Sequence, residues 1–165
     1  MSRLEIYGVD DVIEYHSVDK SEWKLGEWTE EPDKVQFIDR VTQFPCLIVR
    51  NPMGALCGYV GISSRHPYFG LSYADTALDW IHVHGGLTFS DRCQHDSPQE
   101  RGICHLVPPG GDDNIWWLGF DCLHLGDYAP RDSCSSLNGY DYKNLTYVLA
   151  EIQRLAAQLK GCLDE

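Results

Sequence analysis

Apolar positions along the chain follow two periods. From Asp141 onward, Leu145, Val148, Leu149, Ile152, Leu155, Ala156 and Leu159 recur at i, i+3, i+4 and i+7. That spacing predicts one long amphipathic helix over 141–161, with Asn138 or Asp141 as its cap and Gly161 at its end. Elsewhere the pattern is strand-like. Pro45–Arg50 and Ala55–Ile62 are apolar runs around Asn51-Pro52-Met53-Gly54, which predicts a hairpin. Gly58 and Gly61 in the second run predict close packing against its backbone.

Ile115 to Asp127 (IWWLGFDCLHLGD) begins as a buried strand and ends in polar groups. Alternation sets Trp116, Leu118, Phe120, Cys122 and His124 on one side, with Ile115, Trp117, Gly119, Asp121 and Leu123 on the other. Asp79 to His84 predicts a further strand with Trp80, His82 and His84 on one face, broken at Gly85-Gly86 and continued over 87–90. Glu31 to Val41 predicts a short helix from the spacing of Val35, Ile38 and Val41, a strand from Val35 being the competing reading. Residues 1–30 read as irregular, with a helical turn over 10–16. The sum is a single α+β domain over 1–165: an antiparallel sheet of about four to six strands packed against the C-terminal helix.

Composition narrows the partners. A formal net charge of -12 opposes binding to duplex nucleic acid, which needs clustered Lys and Arg. Arg50, Arg65 and Arg92 can still set the potential of one pocket within a Debye length of roughly 8 Å. No apolar run is long enough for a bilayer, and Asp and Glu interrupt the first residues, so a cytosolic location is expected. The seven cysteines, an odd number, predict free thiols rather than a disulfide framework.

The chemistry-bearing residues cluster at two strand ends. His84 with Gly85 and Gly86, and Asp121, Cys122, His124 and Asp127, are expected to meet in one site. A carboxylate after so apolar a run must be paired, bonded or protonated. His84, His105 and His124 are candidate acid–base groups with Asp121 to orient them. His84, Cys122, His124 and Asp127 form one candidate zinc set; Cys93, His95, Cys104 and His105 form another, off the usual C-x₂-C spacing. Tyr68, Trp116 and Trp117 are candidate stacking faces. The bland reading, aromatics and histidines that only fill the core, stands beside each of these.

The stretches WWLGFDCLHLGD, VHGGLTF, PCLIVRNPMGALCGYVGI, HPYFG and YKNLTYVLAEIQRLAAQL together resemble a family of short proteins of bacteriophages and actinobacterial prophages. The likeness spans roughly Pro32 to Leu159. Its motifs fall on His84, Gly85, Gly86, Cys104, His105, Trp116, Trp117, Asp121, Cys122, His124, Gly126 and Asp127; His82 matches no fixed position. It implies a phage protein acting in the host cytoplasm, and no particular reaction. In that context the expected function is capture of a nucleotide immune signal, a cyclic dinucleotide or an ADP-ribose derivative, by stacking worth about 1–3 kcal/mol per base and by Arg–phosphate bonds. The alternatives are a metal- or His/Asp-dependent hydrolase of such a nucleotide, and a virion or host-takeover protein with no small-molecule site. A homo-oligomer is left open.

Overall fold

The computed structural model describes residues 3–132 and 139–163. Six strands form one antiparallel sheet: β1 (Val9–Tyr15), β2 (Lys34–Asp39), β3 (Pro45–Arg50), β4 (Leu56–Ser63), β5 (Phe89–Arg92) and β6 (Ile115–Asp121). Their order across the sheet is β1-β2-β3-β4-β6-β5. Among the described residues one α-helix, α1 (Leu145–Gly161), follows. The α+β architecture expected from the two periods is the architecture observed.

The central strands are buried on both faces, and each face has a different cover. On one, Ile48, Leu56, Val60, Ile62, Leu118 and Phe120 join the α1 stripe of Val148, Leu149, Ile152, Leu155, Ala156 and Leu159. Such side chains contribute about 1.5–3 kcal/mol each when fully buried. Gly58 permits this contact, because a Cβ there would stand 2.6 Å from Phe120 and 2.7 Å from Ile152. On the other face, Leu47, Val49, Cys57, Tyr59, Ile115 and Trp117 pack against Ile103. That cover comes from the polar excursion after β5. It is pinned by a Cys93–Cys104 disulfide and by the buried Lys34, whose Nζ donates to the carbonyls of Gln99, Gly102 and Cys104 at 2.6–2.8 Å.

Several expectations are corrected. Residues 34–39 are strand, not helix: Val35 and Phe37 are buried at period two, and Val41 is 85% exposed. Residues 9–15 form an edge strand rather than a helical turn. It carries a register shift between Asp10 and Ile13 and a positive φ of 54° at Asp11. The 79–84 segment keeps its alternation, with Ile81 and Val83 buried, but joins no sheet. At His82 the backbone is held instead by the Gln158 side chain, which accepts from the His82 N–H and donates to the His82 carbonyl, both at 2.8 Å. Helix α1 starts at Leu145 because Asn144 caps it, accepting from the Tyr147 N–H. Asp141 pairs with Asp127 in a bridge, and Asn138 lies outside the described residues. Among the described residues no helix is long and apolar enough to cross a membrane.

Candidate functional site

Antiparallel pairing of β4 with β6 sets Cys57 opposite Asp121 and Ser63 opposite Ile115. β6 therefore delivers its Asp121 end to the edge of the sheet where α1 begins. The chain then turns through Cys122 and His124 to Asp127, with Gly126 at φ +94° allowing the reversal. The 81–86 segment lies along α1 and brings His84 to the same place.

Asp127 is the hub. Its Oδ2 accepts from the His84 Nε2 at 2.7 Å and from the His124 backbone N–H at 3.0 Å. Its Oδ1 lies 3.3 Å from the Lys143 ammonium. With the Nε2 proton committed to the carboxylate, His84 Nδ1 is the acceptor for the Tyr147 hydroxyl at 2.7 Å. Burial, together with Glu151, Cys122 and Asp127, raises the Tyr147 phenol above its ordinary value, so it serves as a neutral donor. Cys122 is buried beside this pair. Burial first, and the neighbouring Asp127 next, push its thiol well up, so it is protonated when it has no cation partner.

A second, more open pair lies next to the first. His124 Nε2 is 3.3 Å from Asp121 Oδ1, with the side chains 34% and 32% exposed. Asp121 is itself fixed by Thr88 Oγ1 at 3.1 Å and by the Leu123 N–H at 3.0 Å. The His124–Asp121 contact is close but not aligned as a hydrogen bond, which leaves His124 Nε2 buried and unbonded among the described residues. The two imidazole rings stand edge to face, 5.8 Å between centroids. Ligand-type atoms of His84, Cys122 and Asp127 all lie within 4.8 Å of one another.

The other candidates stand elsewhere. Arg50 is wholly enclosed: its Nε donates to Asp33 at 2.7 Å, Nη1 to the Gly54 carbonyl and the Tyr142 hydroxyl, and Nη2 to the Pro32 carbonyl. It is a scaffold cation, not a phosphate ligand. Trp117 is 0% exposed, under the excursion with its Nε1 on Cys93 Sγ. Trp116 faces the other way and donates to the Leu71 carbonyl. Both lie near the start of β6, about 14–17 Å of strand from its end at 3.4 Å per residue. Arg65 and Tyr68 lie in the turn after β4, where His66 bonds the Leu159 carbonyl near the far end of α1. Tyr68 accepts from Trp80 Nε1 there.

The second zinc set is overturned. Cys93 and Cys104 are bonded to each other and offer no thiolate, and His95 is exposed. His105 stands edge-on to Trp117 at 5.1 Å, its basicity lowered chiefly by burial. The disulfide also corrects the expectation of free thiols throughout. Cys46, Cys57, Cys122 and Cys162 are free, and Cys134 lies outside the described residues.

Tyr147, Lys143 and Thr88 were not marked as site residues by the sequence. Tyr147 carried one signal: it is the aromatic on the first turn of α1 that falls off the apolar stripe. A cavity of about 570 Å³ elsewhere is lined by Glu14, Glu27, Glu30 and Glu31 and shares no residue with this cluster. In comparisons with protein-family models, curated proteins and solved structures, nothing matches this chain.

Proposed function

We propose that the protein is a hydrolase of a small molecule, with its centre at the two adjacent histidine–aspartate pairs. The observation that carries this reading is their pairing: His84 on Asp127 at 2.7 Å, and His124 by Asp121 at 3.3 Å, 5.8 Å between rings. Two imidazoles, one bonded to a carboxylate and the other within 3.3 Å of a second, suit a reaction that takes a proton from water and returns one to a leaving group. The His124–Asp121 pair is the half nearer solvent, its side chains 34% and 32% exposed. The closed His84–Asp127–Tyr147 chain holds the inner wall.

The phage context that the resemblance implies, taken with the clustered histidines, motivates the expected substrate class, a nucleotide immune signal met in the host cytoplasm. Simple capture is the weaker reading, because Arg50, Trp116, Trp117 and Tyr68, on which stacking and phosphate contacts would depend, are not at this centre. The test is incubation of the full chain with cyclic dinucleotides and ADP-ribose derivatives, followed by heat release and chromatography. A smaller product that fails to form with His124→Ala supports hydrolysis. Intact nucleotide recovered after heating replaces it with capture. If nothing is altered, retained or stabilising to the melting temperature, the nucleotide reading fails and a protein–protein role takes its place.

A further inference from the structure

The geometry points to a zinc-type cation site formed by His84, Cys122 and Asp127. It occupies the inner wall of the same cluster, and it stands whether or not the cluster turns over a substrate.

Three observations converge. The donor set is one borderline nitrogen, one soft sulfur and one hard oxygen, the mixture that suits zinc or cobalt(II) better than magnesium or calcium. The three donor atoms lie within 4.8 Å of one another, and Cys122 and Asp127 are 1% and 5% exposed. Ligands at about 2.0–2.3 Å in a tetrahedron stand about 3.3–3.6 Å apart. Closure onto an ion therefore means widening the 2.7 Å His84–Asp127 contact by about 0.6 Å and bringing the Cys122 sulfur, within 4.8 Å of both, to about 3.5 Å from each. Outer support is already present: the Tyr147 hydroxyl on His84 Nδ1, and the His124 N–H and Lys143 on Asp127. Partners of this kind fix ligand orientation in metal sites.

The exchange balances. The cation takes the Nε2 lone pair of His84, so the ring proton moves to Nδ1, where it is donated to the Tyr147 oxygen. At Cys122 the S–H bond breaks, the proton leaves to buffer and the sulfur binds the ion. The thiolate and Asp127 together neutralise a divalent charge. One proton is released per ion, and nothing is oxidised or reduced. Three protein ligands leave a fourth position for water beside His124, the arrangement typical of catalytic rather than structural zinc.

The test uses the full chain, freed of metal by chelator and titrated with cobalt(II) alone. The expected result is one equivalent bound, with a near-ultraviolet sulfur-to-cobalt charge-transfer band, one proton released, and competition by zinc. Cys122→Ser should abolish the band, and Cys162→Ser should retain it. Should Cys122→Ser fail to fold, His84→Asn and Asp127→Asn must each weaken cobalt binding at least tenfold. No band with the wild-type chain, or a band that survives Cys122→Ser, overturns the site. Nucleotide hydrolysis that persists in chelator while no band appears would sink the cation site and leave the hydrolase reading standing.

Discussion

Gly85 lies against the imidazole of His124 so closely that a Cβ at residue 85 would stand 2.0 Å from His124 Nε2. The glycine break after His84 is thus a packing requirement of the second histidine, and the two halves of the centre interlock through it. Gly85 and Gly86 both have positive φ, 68° and 80°, yet a Cβ on Gly86 would meet nothing within 4 Å. Gly85→Ala and Gly86→Ala should therefore share a backbone cost of about 1–2 kcal/mol, and only Gly85→Ala should displace His124. Turnover should fall at least tenfold in Gly85→Ala and little in Gly86→Ala, with denaturant midpoints and rates measured side by side. Equal losses in both would deny the interlock.

Arg50 shows why a charged residue read as a ligand can be a scaffold. Its guanidinium holds Asp33, the Pro32 and Gly54 carbonyls and Tyr142, with the side chain fully enclosed. Breaking a buried pair by removing one partner costs about 3–5 kcal/mol. Asp33 keeps Lys20 at 2.7 Å, so Arg50→Met should fall at the lower end of that range. Urea unfolding checks it, and cobalt binding per folded molecule should be near wild type.

How far the sequence reached differs by element. The helix stripe was legible because one-sided burial imposes a period, and the 45–62 hairpin and β6 because strands buried on both faces read as continuous apolar runs. β1 was not: Asp10 and Asp11 interrupt its alternation, and its register shift is set by pairing with β2, which no local pattern encodes. The 35, 38, 41 spacing imitates a helix, while the apolar pair the strand buries is Val35 and Phe37, and Val41 is exposed beyond its end. At the site, the convergence of His84 with 121–127 was expected from two strand ends, but only 121–127 follows a strand; His84 arrives on a segment held to α1 through Gln158. Tyr147 and Lys143 could not be placed there, because they arrive on the helix start, whose position depends on Asn144 as cap. The aromatic candidates failed for one reason: alternation says which residues share a face, and does not say what covers that face.

Lys34 should give the protein a measurable alkaline signature. Burial lowers it to about 8, against 10.5 in the open chain, with Glu100 opposing. Below pH 8 both states hold the proton and the pH dependence from this group vanishes. Between about 8 and 10.5 the folded state has shed a proton that the unfolded chain keeps, so stability rises with pH. Where the two states differ by one whole proton, stability changes by about 1.4 kcal/mol for each step of one in pH. Between pH 7.5 and 9.5 the wild type should therefore gain on the order of 1 kcal/mol relative to Lys34→Met, by urea unfolding at each pH. Lys34→Met should also be less stable throughout, since it strands the carbonyls of Gln99, Gly102 and Cys104. Parallel pH curves for the two proteins would contradict the lowered Lys34.

Asp127 and Tyr147 bond the two nitrogens of His84, and their loss should have different consequences. Oδ2 of Asp127 accepts from both His84 Nε2 and the His124 N–H, while Oδ1 faces Lys143. In Asp127→Asn the amide oxygen can keep Oδ2's place only by turning its NH₂ toward the Lys143 ammonium. Turned the other way, its NH₂ faces the His84 Nε2 and the His124 N–H; the ring can accept by shifting its proton to Nδ1, but the backbone N–H is itself a donor and is left unbonded. Either orientation costs about 1–3 kcal/mol, the range for a buried polar group left unsatisfied. It also disturbs the tautomer on which the Tyr147 bond depends. Tyr147 is 37% exposed, so in Tyr147→Phe water can replace the lost hydroxyl and stability should change by less than about 1 kcal/mol. If His84 must be held in one tautomer for the chemistry, turnover should fall by about 10²–10⁴ in Asp127→Asn and by no more than about tenfold in Tyr147→Phe. Steady-state rates paired with unfolding curves separate the two effects. An Asp127→Asn protein that loses stability yet keeps its rate would make the pair a structural fixture and move the chemistry to His124 and Asp121 alone.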